Sequence, residues 1–269
     1  MQRNWEERPA KVSTNTEVEK MSYENIQVKD DGGVRIVTIN RPSPLNPLSM
    51  GTLREIKDAV LKSGNRVVTL TGANKAFSAG ADINGFVGLD GAAAFALATE
   101  GHDIMNSIAG YPRPVIAAIH GYAFGGGFEL ALSCDIRISH PKTLFALPEI
   151  NLGILPGWGG TQRLRHLVGE NVAFEIISTG RRFSAEEAKE LRIVNRVSEN
   201  YLDDAVALAK ELAKKPRESL KLVKKLVRYQ PDDVFEEEKE AFGVVFNHPD
   251  MKEGVQAFLE KREPKFLEK

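Results

Sequence analysis

Two glycine-rich segments stand where backbone groups could bind a ligand. Residues 78–82 (Ser-Ala-Gly-Ala-Asp) and residues 125–127 (three glycines) each follow an apolar strand pattern, and the second segment opens a helical pattern. Small residues let a backbone approach a ligand closely, and the first N–H groups of a helix have no internal partner. The N–H of Gly126, with a second donor from the turn at Ala81, could stabilise a developing oxyanion. Each segment alone is also compatible with a tight turn that only packs a strand against a helix.

Two glutamates occur in apolar surroundings near these segments. Glu129 lies one helical turn after Gly126, and Glu149 lies in the run Phe-Ala-Leu-Pro-Glu-Ile-Asn-Leu-Gly. Apolar surroundings raise the proton affinity of an acid, which suits acid–base chemistry near neutral pH. The alternatives are a helix-dipole role for Glu129 and a buried salt bridge from Glu149 to Arg163.

Other chemistries find little support. The chain contains no G-x-S-x-G, Walker, H-E-x-x-H or G-x-G-x-x-G pattern. The histidines show no metal-ligand spacing, so no metal site is expected. Lys plus Arg number 36 and Asp plus Glu number 37, a balance that argues against a dedicated nucleic-acid binder. The single Cys134 permits no intrachain disulfide. Without a signal peptide or a membrane-spanning run, we expect a cytoplasmic protein.

The elements that must position these residues alternate along the first part of the chain. Strand patterns at 34–40, 66–72, 114–121 and 135–140 are interleaved with helical patterns at about 51–62, 91–109 and 125–135. Such alternation predicts an α/β fold with crossover connections. Ser49 is expected to cap the first of these helices.

The remainder of the chain is predicted to be helical. Ser184 with Glu187 forms a capping-box pattern, and further helical patterns occupy 201–213, 216–229, 231–246 and 250–262. We therefore predict a flexible extension at 1–20, a core bearing the site at 21–200, and a C-terminal helical region at 201–269.

Three runs carry a family resemblance. In chain order they are FSAGADI, IHGYAFGGGFELALSCDIRIS and FALPEINLGILPGWGGTQRL, and together they resemble the crotonase (enoyl-CoA hydratase/isomerase) superfamily over about residues 22–266. The resemblance implies an α/β spiral of ββα turns with a C-terminal helical region that assembles as a trimer or hexamer. It implies an acyl-CoA substrate and no cofactor, because coenzyme A is part of the substrate.

The resemblance also implies roles for single residues. The N–H groups of Ala81 and Gly126 would form the oxyanion hole, and Gly157 would help to position water. Glu129 would take a proton from that water while Glu149, initially protonated, delivers one to the substrate. Family members that only isomerise a double bond commonly retain a single acid here, so the presence of both favours a hydratase.

The coenzyme A contacts that the resemblance implies come from several distant segments of the chain. The loop 43–46 with Leu45 would form one wall, and Ala79, Asp82 and Ile83 would meet the adenine and pantetheine. Lys261 would meet the phosphates, often those of a neighbouring subunit, although a solvated helix face is the alternative for this lysine. Phe128 and Trp158 are larger than the residues that the family often has at these positions, so the resemblance leads us to expect a narrowed acyl pocket that favours short chains.

Two groups of alternatives stay open. Within the superfamily, the protein could be an isomerase or a dehydratase acting on a 3-hydroxyacyl-CoA. In another class, it could be a non-catalytic scaffold that binds CoA or RNA, for which the basic segment 214–228 is the main support. The acidic stretch at 232–238 instead indicates a surface that compensates its own charge, and nucleic-acid binding is not expected.

Overall fold

A computed structural model describes residues 22–41, 45–215, 217–227 and 249–265, together with 239, 242–243 and 246–247. Its main sheet begins with an antiparallel hairpin and continues with parallel strands. In spatial order the strands are β1 (Ile26–Asp31), β2 (Val34–Ile39), β3 (Val67–Gly72), β4 (Val115–Ile119), β6 (Ile136–Ser139) and β9 (Arg196–Val197).

Helices make the crossovers between the parallel strands, as the alternating pattern predicts. These helices are α1 (Met50–Leu61), α2 (Gly91–Gly110) and α3 (Gly126–Ser133). The Ser49 hydroxyl accepts a hydrogen bond from the N–H of Thr52 at 3.2 Å, so the predicted cap of α1 is confirmed. A side-chain cap thus satisfies one of the N–H groups that a helix start leaves unpaired.

A second, smaller sheet lies beside the first and carries the candidate site. It contains β5 (Tyr122–Phe124), β7 (Leu144–Ala146) and β8 (Phe183–Ser184), with β5 parallel to β7 and Phe124 opposite Ala146. The prediction of one strand over 114–121 was therefore wrong at its end. The chain turns at Gly121, where φ is +63° and a Cβ atom would lie 2.0 Å from the Lys75 carbonyl oxygen. Only glycine fits this turn.

Beyond β7 the chain is mainly helical. A 3₁₀ helix at Pro148–Leu152 is followed by α4 (Gly160–Val168), α5 (Glu170–Thr179), α6 (Ala185–Glu190), α7 (Tyr201–Ala213), α8 (Arg217–Val227) and α9 (Pro249–Leu259). The capping box is half formed, because the N–H of Glu187 donates to Ser184 at 3.2 Å whereas its carboxylate pairs with Arg181. The predicted extension at 1–20 and most of the predicted helix at 231–246 lie outside the described residues.

Apolar packing covers both faces of the main sheet. Every residue of β3 and β4 is buried, as expected for strands covered on two sides. On one face Ala205 and Ala209 of α7 meet the strands, and on the other face α1, α2 and α3 supply a larger cluster. A third cluster, which includes Phe86, Phe242 and Phe246, lies beside the candidate site. Within the described part of the chain, we find no helix with the length and apolar character needed to cross a bilayer.

Candidate functional site

A cavity of about 310 Å³ is lined mainly by the segments that follow β3, β5 and β7. Ala81, Gly126, Glu129, Glu149 and Gly157, which are far apart in the sequence, all line it. The structure therefore brings together all the residues to which the sequence assigned chemistry. The remaining wall is mostly apolar, as is usual for a ligand-binding cavity.

The two glycine-rich segments converge at this cavity. A Cβ atom placed on Gly80 would lie 2.9 Å from the Phe124 carbonyl oxygen and 3.6 Å from the nitrogen of Gly126. Gly80, with φ of +107°, therefore allows an approach that a larger residue would block. In the part of the chain that the structure describes, neither the N–H of Ala81 nor that of Gly126 has a hydrogen-bond acceptor. Two donors are thus available side by side.

The Ala81 turn is fixed by its neighbours. The N–H of Leu48 donates to the Gly80 carbonyl at 2.7 Å, and the N–H of Asp82 donates to the Leu48 carbonyl at 2.9 Å. Gly126 is fixed as the first residue of α3, where the positive end of the helix dipole adds to its N–H. Donors held in this way need no reorganisation when negative charge develops on a bound oxygen.

Glu129 is a buried carboxylate held by backbone donors. Its side chain is 2% exposed, and Oε1 accepts hydrogen bonds from the N–H groups of Trp158 and Gly160, both at 2.8 Å. Hydrogen bonds from N–H groups favour the ionised form of a carboxyl group. A Cβ atom on Gly160 would lie 2.9 Å from the same oxygen, so the missing side chain makes room for the acid.

Glu149 reaches the cavity from the second sheet. It lies in the 3₁₀ helix after β7, and its Oε1 lies 2.9 Å from the place that a Cβ atom on Gly125 would occupy. Gly125 has φ of +48°, so its conformation also favours glycine. The Arg163 guanidinium, the alternative partner for Glu149, donates to the Trp158 carbonyl at 2.8 Å and to Asn106 at 2.7 Å.

Most of the expected coenzyme A contacts lie on the same cavity. Leu45, Ala79, Asp82 and Ile83 all line it. The Asp82 carboxylate pairs with Arg41 at 3.0 Å, and this hydrogen bond holds the pKa of Asp82 below its usual range. The exposed Lys261 lies outside the cavity, in the turn after α9.

The expectation that Phe128 narrows the acyl pocket was wrong. Phe128 is fully buried and packs against Phe145 and Phe183, with ring centroids 5.4 and 5.8 Å away, so it does not narrow the pocket. Trp158 does line the cavity. Further apolar wall residues were not predicted from the sequence, and these are Phe86, Leu152, Ile154, Leu155, Phe242 and Phe258. Leu152, Ile154 and Leu155 lie in the third run that carries the family resemblance. Phe86, Phe242 and Phe258 lie outside the three runs, and only their place in the fold identifies them.

Other classes of site gain no support. Across the described ranges, no group of three or more His, Cys, Asp or Glu side chains could hold a metal ion. Lys224 belongs to the basic segment considered for RNA, yet its ammonium group is largely buried, where it pairs with Asp135 at 2.8 Å and donates to the Arg113 carbonyl. Part of the basic charge is therefore used within the fold.

Comparisons with known proteins identify the family of this chain. Residues 29–269 match the family described as enoyl-CoA hydratase/isomerase. A probable enoyl-CoA hydratase of Bacillus subtilis (strain 168) is 40% identical over 253 residues, which cover 90% of this chain and 98% of the relative. A crotonyl-CoA hydratase of Syntrophomonas wolfei subsp. wolfei is 38% identical over 260 residues, covering 93% of this chain and 100% of the relative.

The architecture is shared as well. The crystal structure of an enoyl-CoA hydratase from Geobacillus kaustophilus HTA426 matches with a TM-score of 0.72 at 40% identity, over 92% of this chain and 99% of the other. The predicted fold class is confirmed. The chain belongs to the enoyl-CoA hydratase/isomerase family.

Proposed function

We propose that the protein is an enoyl-CoA hydratase that adds water reversibly, with syn geometry, to a trans-2-enoyl-CoA and gives a 3-hydroxyacyl-CoA. The observation that carries this proposal is the meeting of two N–H donors and two carboxyl groups on one largely apolar cavity. Relatives named enoyl-CoA hydratase and crotonyl-CoA hydratase support it.

The two N–H donors act on the thioester. The thioester carbonyl oxygen lies in the oxyanion hole, between the N–H groups of Ala81 and Gly126. These hydrogen bonds draw electrons from the conjugated double bond, so C3 becomes electrophilic. Negative charge grows on the oxygen as water attacks, so the hydrogen bonds strengthen in the transition state. In other enzymes one such donor contributes about 3–4 kcal/mol to catalysis.

The two acids move the protons. The ionised Glu129 takes a proton from water as the water oxygen bonds to C3, and the protonated Glu149 delivers a proton to C2. Water thus supplies the hydroxyl group at C3, and proton exchange with solvent restores the starting state of both acids. Because the carboxyl groups hold opposite protonation states, they titrate as a pair. Gly157, in the loop after Glu149, helps to position the water.

The rest of the proposal concerns binding and assembly. Leu45, Ala79, Asp82 and Ile83 contact coenzyme A, and Lys261 meets its phosphates, in this subunit or in a neighbour. Self-association as a trimer or hexamer, a cytoplasmic location, and the division into 1–20, 21–200 and 201–269 are further parts of the proposal. The short acyl group is supported by relatives named crotonyl-CoA hydratase and short-chain-enoyl-CoA hydratase.

Loss of the enoyl absorbance of crotonyl-CoA tests the proposal. Wild-type protein should remove this absorbance, and Glu129→Gln and Glu149→Gln should each slow the loss by at least about 10²-fold, because positioned acid–base groups contribute about 10²–10⁴-fold. The matched control is Glu190→Gln, since Glu190 is exposed at the end of α6. Near-wild-type turnover in either site variant would contradict the two-acid mechanism.

Product analysis separates the remaining functions. A hydratase converts crotonyl-CoA into 3-hydroxybutyryl-CoA, and a dehydratase is the same enzyme working mainly in reverse. An isomerase instead moves the double bond of a 3-enoyl-CoA without incorporating oxygen from labelled water. A scaffold binds the thioester without turnover, and a binding constant that weakens steeply with salt would favour nucleic acid as its ligand.

A further inference from the structure

The indole of Trp158 fills a slot between two helices that both lack a side chain at the contact. A Cβ atom on Gly101 of α2 would lie 2.0 Å from Cδ1 and 2.3 Å from Nε1 of the indole. A Cβ atom on Gly126 of α3 would lie 2.2 Å from Cζ3 at the other edge of the ring. Ordinary contacts begin near 3.4 Å, so both glycines are needed to admit the ring.

This ring separates the cavity from α2. Trp158 lines the cavity although it is only 3% exposed. Among the described lining residues, the next one along the chain after Phe86 is Gly125, so none belongs to α2. One edge of the indole lies at Gly126, beside the proposed oxyanion hole, and the other edge lies at Gly101. The indole therefore occupies the space into which the cavity could otherwise extend.

We propose that Trp158 is the residue that determines acyl-chain length, because its indole forms the wall between the acyl pocket and α2. This inference rests on the proposed hydratase function and deepens it. A four-carbon acyl group ends against the indole without displacing it, and a longer chain must displace it. Replacing the indole by a smaller group extends the pocket toward Gly101.

The structure allows the wall to be tested apart from the chemistry. Trp158 holds Glu129 through its backbone N–H, which every side-chain replacement keeps. Its Nε1–H has no acceptor among the described residues, so truncating the side chain removes volume and breaks no hydrogen bond of this group there. One methylene that a hydrophobic pocket accepts or rejects changes kcat/KM by about 10–200-fold.

The experiment compares kcat/KM for trans-2-enoyl-CoA substrates with four, six and eight acyl carbons. In Trp158→Ala, the ratio of the eight-carbon to the four-carbon value should rise at least about tenfold over wild type, since several methylenes gain room. Trp158→Phe should give a smaller rise in the same direction. Phe128→Leu is the matched control, because Phe128 is a neighbouring buried aromatic outside the cavity, and its ratio should stay at the wild-type value.

A change on the far side of the ring tests the opposite direction. In Gly101→Ala, the new methyl group displaces the indole toward the cavity, so the ratio of the six-carbon to the four-carbon value should fall below wild type. If either Trp158 variant fails to fold, the other and Gly101→Ala decide the matter. Unchanged ratios in the folded variants, with four-carbon turnover intact in wild type, overturn the inference and leave the proposed function standing.

Fluorescence gives a readout that does not need turnover. The chain has two tryptophans, so Trp5→Phe makes Trp158 the only one. Butyryl-CoA should then shift or quench the emission, and free coenzyme A should leave it unchanged, because only the acyl group approaches the indole. Equal responses to both ligands would overturn the inference. If wild type does not hydrate crotonyl-CoA, the proposed function fails, and this measurement still reports whether the indole borders the acyl site.

Discussion

The contact at Gly254 predicts that one methyl group remote from the reacting atoms can disturb the chemistry. Gly254 lies inside α9, and a Cβ atom there would lie 2.2 Å from the carbonyl oxygen, 2.3 Å from the carbonyl carbon and 2.5 Å from the Cα of Leu152. Leu152 belongs to the 3₁₀ helix that carries Glu149. These are backbone atoms, so no side-chain rotation can relieve the clash. One of the two helices must move by about 1 Å to restore ordinary contact.

The magnitude follows from two opposing terms. Alanine improves helix propensity by about 1 kcal/mol over glycine, whereas overpacking costs about 1–3 kcal/mol. The difference between these terms predicts that Gly254→Ala lowers the free energy of unfolding by up to about 2 kcal/mol. A shift of about 1 Å at a reacting group can cost about 10²-fold in rate, so kcat for crotonyl-CoA should fall by one to two orders of magnitude.

A matched substitution isolates the contact. Gly110 lies at the end of α2, where a Cβ atom would meet nothing within 4 Å. Gly110→Ala should therefore leave kcat unchanged and stability equal or slightly higher. Urea unfolding and initial-rate measurements on both variants make the comparison. If Gly254→Ala matches Gly110→Ala in both stability and kcat, α9 does not position the helix that bears Glu149.

Two further predictions follow from other contacts. In Gly126→Ala, the new methyl group would lie 2.2 Å from Trp158 Cζ3, so the backbone N–H at position 126 must shift. We expect kcat/KM for crotonyl-CoA to fall by at least about 10²-fold. A near-wild-type value would contradict the proposed geometry of the oxyanion hole. Burial lowers the pKa of His120, so the unfolded chain binds more protons than the folded chain below about pH 6.5 and stability decreases there. Urea midpoints at pH 7.5 and 5.5 should differ less in His120→Gln than in wild type, and equal differences would exclude this contribution.

The parts of the site that could be predicted are those set by local geometry. A helix that starts at Gly126 places its first N–H groups without partners, and a residue one turn later returns to the same face, which is why Glu129 was identified. The same geometry could have corrected the expectation for Phe128. Adjacent helical residues point about 100° apart, so Phe128 turns away from the cavity when Glu129 faces it.

The parts that could not be predicted depend on contacts between distant segments. Phe242 and Phe258 line the cavity from the C-terminal part of the chain, and a Cβ atom on Gly157 would lie 2.3 Å from the Phe242 ring. Apolar residues in helical patterns do not reveal which surface they cover. The strand β5 was missed for a related reason, because its three residues follow a glycine turn and continue the apolar run of β4.

The parallel pairing of β5 with β7 limits where the protein can tolerate insertions and deletions. Only one residue separates Phe124 from Gly126, and two separate Ala146 from Glu149, while Phe124 and Ala146 stand opposite each other. A one-residue deletion in either short connection would move a donor or an acid by about 3.3 Å relative to the other. Insertions and deletions between homologues should therefore avoid these two connections and collect in exposed loops such as the one at Val87, which has no partner strand to keep in step.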